Sequence, residues 1–479
     1  MGSTTASMLA LLVLGAAAIR APESAHAAQT QAFAFTTDFS SGAISDIQFG
    51  PPRTVNADQA TVSSDAVLRY LAGDLYVVNR FGFDNILILD PANDYGTVEQ
   101  FSVGNGANPH DVELASPTKA YVTRYDTPEL WIMNPQTGAH TGTISLAAFA
   151  DDDGIPEMDR LALRNGRLFV SVQRLDRNNF FSPTDSSQIV VINATTDAII
   201  DANTGAPGVQ GIVLPFQNPL TELVVDSSGR IVVGCVGSFG VLDGGIVRID
   251  PATLTIAATE ITEAALGGEI NDVAVLDAAR GFAVINDASF NTLLRSYNRN
   301  TGTTTGTPFS TAGFSIADIE INDRSELWLC DRTPANPGVR IFDAANGSQI
   351  TTTPLGTGLP PQDLVFDVAT VVSVPAESEA VPAAPLAIVG VSPNPSTDVS
   401  RIRFRLAASQ GGLGETASLA IYDMSGRAVF RAALDGLTPG EHVFEWDGRD
   451  SRGGRVASGV YGVEVRAAAS RSVARIVRF

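Results

Sequence analysis

The sequence predicts an all-β chain, a seven-bladed β-propeller followed by a small Ig-like β-sandwich. Three observations carry that reading. A short pattern, an acidic residue placed just before an apolar-rich run, recurs along the chain. Between its copies lie short runs of Val, Ile, Tyr, Phe and Trp separated by Gly, Asn, Asp and Pro, with no helical period competing. Near residue 373 the composition changes abruptly, and a different β-rich pattern follows.

The recurring pattern reads "NPHDVEL" at 108–114, "IPEMDRLAL" at 155–163, "NPLTELVV" at 218–225, "GEINDVAVL" at 268–276, "SIADIEI" at 315–321 and "PPQDLVF" at 360–366. Its acids are Asp65, Asp111, Asp159, Glu222, Asp272, Asp318 and Asp363, spaced 46, 48, 63, 50, 46 and 45 residues apart. A period of about 40–50 residues holding several short strands is the sequence signature of propeller blades. In the second unit the strands are "DVELA" (111–115), "KAYVTRY" (119–125), "ELWIMNP" (129–135) and "HTGTISL" (140–146). Six acids open six complete units. The seventh opens a single strand, "DLVFDV" (363–368), whose partners lie at the other end of the chain: "AFAFTTDF" (32–39), "AISDIQF" (43–49) and "RTVNADQ" (53–59). The seventh blade is therefore expected to be closed by both chain ends, which leaves no exposed sheet edge. In strands such as "LYVVN" and "ILDP" the repeat resembles the YVTN and NHL-type propeller families over residues 30–370. That resemblance implies a fold and leaves the activity open.

The acid begins the innermost strand of each blade, so seven carboxylates are expected near one mouth of the central channel. Two roles are open to them. Each can accept backbone N–H groups and tie neighbouring blades together. Alternatively, several converge on the axis and hold a cation such as Ca²⁺. The loops between second and third strands share that face and are rich in residue types that dominate binding surfaces. They carry Arg80, Phe81, Phe83, Arg124, Tyr125, Arg174, Arg177, Phe180, Phe181, Phe239, Phe290 and Arg332. The longest, 174–188, has the length to fold over the mouth as a partial lid. The acidic turn "DDDGIPE" (151–157) lacks the first ligand of an EF-type calcium loop.

Catalytic residue types are sparse. Beyond residue 27 the chain has three His, namely His110, His140 and His442, on different units. This spread argues against a His-based metal site or a Ser/His/Asp triad. His110 alone lies at the inner mouth, beside Asp111, as the candidate acid or base. Cys235 and Cys330 are the only cysteines, and both are expected to be buried and unpaired.

Residues 1–27 read as a signal peptide. An apolar run at 8–19, too short to span a bilayer, precedes a small-x-small cleavage site at Ala25-His26-Ala27. No later segment is long and apolar enough to span a membrane. Residues 28–372 form the propeller and 373–386 a Pro/Ala/Glu linker. Over 28–385 there are 18 Lys and Arg against 42 Asp and Glu, whereas 386–479 has 12 Arg against 9 acids. An acidic body of this kind repels nucleic acid and anionic membrane surfaces.

Residues 387–479 contain "SRIRFRL", "ASLAIYDMSGRAVFRAAL", "GEHVFEWDGRD", "GVYGVEVRA" and "SVARIVRF". Short strands at this density indicate a small sandwich. Asn394-Pro395, Tyr422-Asp423, Gly426-Arg427, Trp446-Asp447-Gly448 and Gly459-Val460-Tyr461 resemble the C-terminal sorting domains of type IX secretion cargo. They resemble equally the Ig-like module of the flagellar hook-capping protein. The first resemblance implies contact with the secretion machinery and passage through the outer membrane. The second leaves a structural spacer open.

Taken together, the sequence predicts an exported, surface-displayed propeller that binds an extracellular protein, peptide or glycan through its loop-rich face. The alternative is a Ca²⁺-dependent hydrolase or lactonase acting at the channel mouth.

Overall fold

A computed structural model describes residues 28–367, 386–392, 396, 399–406, 417–423, 427–434, 440–467 and 470–478. The predicted signal peptide and most of the predicted linker lie outside them. The chain divides into two compact units, 1–376 and 377–479.

The first unit is a seven-bladed β-propeller. Its first blade comprises Ala66–Leu71, Asp74–Asn79, Asn85–Asp90 and Gly96–Ser102, hydrogen-bonded in that order from the innermost strand outward. The second comprises Pro109–Ser116, Lys119–Arg124, Glu129–Asn134 and Ala139–Ser145. In the third, Met158–Arg164, Arg167–Val172 and Gln188–Asn193 are followed by a broken outer strand, Ile199–Ile200 and Ile212–Val213, both paired to Gln188–Asn193. That break and the 174–187 loop account for the 63-residue step. The fourth blade starts at Val224–Val225, the fifth at Glu269–Val275 and the sixth at Ile316–Ile321. A single short helix, Glu263–Leu266 capped by Thr262, links the fourth to the fifth.

The seventh blade is closed as the repeat count predicts. Its innermost strand is Pro361–Phe366, and the outer three are Gln31–Thr37, Gly42–Gln48 and Thr54–Val62. Ala34 pairs with Leu364 and Phe35 with Asp363 across the join.

Period-2 alternation explains the packing. Successive side chains of a strand face opposite sides of its sheet, and in a propeller each side meets a neighbouring blade. Thus Ala120 and Val122 pack with the first blade, around Val78 and Ile88. Tyr121, between them, packs with the third, around Val170 and Val190. Seven such apolar cores alternate with the seven blades around the ring. Cys235 and Cys330 are free, buried members of two different cores.

The second unit is a two-sheet sandwich. Leu386–Ser392, Ser400–Leu406 and Gly440–Trp446 form one sheet; Ala428–Leu434, Ala417–Asp423, Gly459–Ala467 and Ser470–Arg478 form the other. Trp446 is buried among Ile402, Leu419 and Tyr461, and its Nε1 donates to Arg449 O at 2.8 Å. Gly448 adopts φ +73°, and an added Cβ would collide with the Arg478 guanidinium, so the Trp-Asp-Gly turn requires glycine there. Among the described residues no helix is long and apolar enough to cross a membrane.

Candidate functional site: the channel mouth and its loop rim

The approach to each innermost strand lies beside the loop between its blade's second and third strands. Arg80 N donates to Asp65 O at 3.0 Å, Tyr125 N to Asn108 O at 3.1 Å, Val236 N to Asn218 O at 3.0 Å and Arg332 N to Ser315 O at 2.7 Å. The acids and the aromatic loops therefore share one face.

The seven acids do not form one ring. Three of them act as latches between blades. Asp111 accepts the N–H of its own Val112 and that of Leu161 in the next blade, each at 2.8 Å. Asp272 accepts Val273 N–H and Ile319 N–H in the same way, each at 2.8 Å. Asp363 accepts Leu364 N–H at 3.0 Å and, across the closure, Leu68 N–H at 2.7 Å. The donating N–H follows Asp318 in the sixth blade, Arg160 in the third and Val67 in the first. Asp159 and Asp65 thus sit one and two residues upstream of the latch position. The third blade's bulge, between Met158 and Leu161, matches those between Pro109 and Val112 in the second blade and between Ile316 and Ile319 in the sixth, so the offset lies in the sequence itself: the acid stands one residue earlier.

The displaced acids find other partners. Asp65 takes Arg80 Nε at 2.7 Å. Asp159 lies 2.8 Å from His110 Nδ1 and accepts Gln173 Nε2 at 3.1 Å. Glu222 is bonded by Arg69 and lies 3.6 Å from Arg160 Nη1. Asp318 is different: its Oδ2 is buried with no donor to it, and its carboxyl lies within hydrogen-bonding reach of the Asp272 carboxyl. Among the described residues no three His, Cys, Asp or Glu are grouped as a metal centre.

Behind the mouth, the channel holds charged residues that the repeat pattern did not single out. Arg69 makes a bidentate pair with Asp111, 2.8 Å at both contacts. Glu113 and Glu320 follow Asp111 and Asp318 by two residues, and so return to the same face of their strands. The "D-x-E" spacing was the legible signal. With Arg69 and Glu222 they line a cavity of about 300 Å³. Burial, then the neighbouring Asp111, pushes the Glu113 carboxyl up to about 7. Burial also raises Asp272 to about 7, and burial with surrounding carboxylates drives Asp318 and Glu320 well above the ordinary range. At the mouth a smaller cavity, about 100 Å³, is lined by Arg80, Arg160, Glu222, Asp272, Asp318 and Asp363.

The predicted recognition residues divide cleanly. Six of the seven aromatics are exposed: Phe81 (74 %), Phe83, Phe180 (92 %), Phe181, Phe239 and Phe290 (67 %). Tyr125 instead is buried, stacked on His110 with ring centroids 4.0 Å apart and donating to Gln173 Oε1 at 2.7 Å. Two exposed rings were missed. Phe39 sits on the corresponding loop of the seventh blade and reads in sequence as a strand residue; Phe314 packs edge-on against Phe290.

All five predicted arginines are held inside the protein. Arg80 is paired with Asp65. Arg124 donates to Val103 O at 2.9 Å and pairs with Glu129 at 3.2 Å. Arg174 donates to Ser186 O and pairs with Asp185, both at 3.1 Å. Arg177 reaches Glu157 at 2.8 Å, and Asp126 of the second blade at 2.6 Å. Arg332 donates to Thr37 O at 3.0 Å, its guanidinium 4.6 Å from the centre of the Phe39 ring. These arginines pin the loops. The 174–187 loop forms a small hairpin, Leu175–Asp176 with Ser182–Pro183, tied by Arg177 to the second blade.

His110 keeps its Nδ1 on Asp159, and burial lowers its pKa, so its neutral form is favoured near neutral pH. The acidic turn at 151–157 folds back on itself: Asp153 accepts Ile155 N–H at 2.7 Å, and Asp151 accepts the Thr184 hydroxyl at 2.6 Å.

Comparison with known proteins gives one family match, the FlgD Ig-like domain, over residues 399–471. No curated protein matches the chain. Among solved structures, the chain is similar to PorZ, a bacterial surface component of the type-IX secretion system of Porphyromonas gingivalis, with 15 % identity and a TM-score of 0.41. That similarity covers 91 % of this chain and 63 % of PorZ. A streptogramin B lyase structure matches with 11 % identity and a TM-score of 0.43, covering 64 % of this chain and 91 % of the lyase. The Dos1 propeller matches with 9 % identity and a TM-score of 0.45, covering 70 % and 86 %.

Proposed function

We propose that this chain is an exported, cell-surface β-propeller that binds a protein, peptide or glycan through its loop-rich face. Residues 387–479 would then act as its secretion or anchoring module. One observation carries the binding reading. Phe39, Phe180, Phe181 and Phe290 are exposed and have φ of 66°, 54°, 55° and 60°. Left-handed backbone at a bulky residue costs on the order of 1 kcal/mol or more. An exposed ring regains little of that by burial inside the molecule. The cost is explained if the rings are buried by something else. The arginine-pinned loops support the same reading, because a surface held rigid loses less entropy on binding. The FlgD-like match over 399–471 supports an accessory role for the last unit.

The test is binding to glycan and peptide arrays by the intact chain and by a Phe81→Ser, Phe180→Ser, Phe290→Ser variant. Ligands lost by the variant at an unchanged melting temperature support the proposal. Equal binding by both proteins overturns it. The second half is tested by a chain ending at Leu386. Undiminished export of that chain would make the last unit a spacer.

A further inference from the structure

The charge of this face narrows the partner. We propose that the phenylalanine rim and the channel mouth together dock a basic, apolar protein segment. One Lys or Arg side chain would enter the mouth beside Asp318, and its aliphatic or aromatic neighbours would lie on the rings. This rests on the binding reading above and specifies its partner.

The argument is one of complementarity. Four of the five arginines on the recognition loops pair with carboxylates, and Arg332 donates to backbone carbonyls. Arg69 is held by Asp111 and Glu222, and Arg160 lies between Asp159 and Glu222. Of these guanidinium groups, Arg332 alone has no carboxylate partner among the described residues, so little cationic charge is left for an acidic partner. Three mouth carboxyls, by contrast, have no cationic partner among the described residues. Asp272 and Asp363 are held by backbone N–H groups, and Asp318 Oδ2 is buried with no donor to it. The mouth cavity opens onto all three.

The surroundings point the same way. Residues 28–385 hold 42 acids against 18 basic residues, which draws in basic partners and repels acidic ones. The exposed rings are all Phe, which offers apolar area and a cation-attracting face but no hydrogen bond. A basic segment with apolar neighbours matches both.

The test uses the full chain and two labelled peptides of equal length, one a Lys–Leu repeat and the other its Glu–Leu counterpart, read by fluorescence anisotropy at low and moderate salt. The Lys–Leu peptide is expected to bind at least about ten-fold tighter. Asp318→Asn should weaken it about five-fold, Phe81→Ser with Phe290→Ser at least about ten-fold, and Asp94→Asn, on the opposite face, not measurably. Asp318 makes no backbone latch, so its variant is expected to fold; the Phe variants give an independent check. Equal affinity for the two peptides, or Lys–Leu binding indifferent to Asp318 and the Phe pair, overturns the inference. Phe-dependent binding confined to glycans, or to phosphatidylcholine vesicles, also overturns it; the glycan outcome leaves the binding reading standing. Array and peptide binding indifferent to every Phe variant overturns both.

Discussion

Glu113→Gln should stabilise the propeller at neutral and alkaline pH and change little in acid. Glu113 lines the channel beside Asp111. Burial, with Asp111 next in order, lifts its carboxyl from the ordinary 4.5 to about 7 in the folded state. The folded protein therefore keeps a proton that the unfolded chain releases above about pH 4.5. Stability falls as pH rises from there to about 7, and the full loss persists above. Once the carboxyl is ionised the loss is about 3 kcal/mol, from about 1.4 kcal/mol for each pH unit of displacement. Water in the channel lowers that figure, so it is an upper bound. Gln retains a carbonyl to accept the Leu114 N–H that Glu113 Oε1 takes at 2.9 Å, and carries no charge. Urea unfolding followed by circular dichroism at pH 4.5, 6, 7 and 8 measures the difference. The variant should match the parent at the lowest pH and gain progressively, by up to about 3 kcal/mol at pH 8. A constant offset across the series, or a variant less stable at pH 8, would refute the reasoning.

Asp363→Ala removes the acceptor for two N–H groups, including buried Leu68, at the joint where the chain ends meet. The expected loss is about 2–4 kcal/mol in urea unfolding, with faster hydrogen exchange at the Leu68 amide. Arg69→Met leaves Asp111 and Glu222 without their shared cation, and should cost about 3–5 kcal/mol at pH 7 and less at pH 4. Phe180→Gly relieves a left-handed residue that is 92 % exposed, and should raise stability by about 1 kcal/mol while reducing ligand binding. Cys235→Ala, by contrast, opens a void among Val233, Val247 and Leu223, and is expected to lower the unfolding free energy by about 1 kcal/mol.

The fold was legible because two periods coincide in this chain. A 45–50-residue repeat counts blades, and two-residue alternation sends Tyr121 one way and Val122 the other. Even the closing blade could be read, since Asp363 opens a unit whose remaining strands exist only at residues 31–62. The site was less legible, for local and long-range reasons. Asp159 stands one residue before the latch position, which Arg160 takes, and nothing in "PEMDRLAL" marks which of the two precedes the N–H that Asp111 accepts. The arginines were read by type, but Arg177 meets Asp126 across two blades, and sequence spacing does not encode that contact. Tyr125 looks like its exposed loop neighbours until His110 is seen stacked on it. Phe39 was hidden by a strand pattern that turns into a loop at Asp38.

These one- and two-residue offsets of the acids give the face its direction. Were all seven acids at latch positions, every joint could be tied alike and the mouth would be uniformly acidic. Instead the first and third blades carry Val67 and Arg160 there. The same two strands deliver Arg69 and Arg160 into the channel, where they meet Asp111, Asp159 and Glu222. Positive charge is thereby confined to the first and third blades and matched by neighbouring carboxylates. The fifth, sixth and seventh blades keep Asp272, Asp318 and Asp363 without an ion pair among the described residues, across the mouth cavity from Arg80 and Arg160. A partner approaching the mouth meets a carboxyl-rich arc without ion pairs on one side and charge-matched pairs on the other. Orientation, and not affinity alone, should therefore depend on Asp318. Cross-linking a Lys–Leu peptide labelled at one end should mark the fifth-to-seventh-blade loops in the parent protein. It should spread around the rim in Asp318→Asn. The same asymmetric marking in both proteins would show that the rings alone set the docking pose.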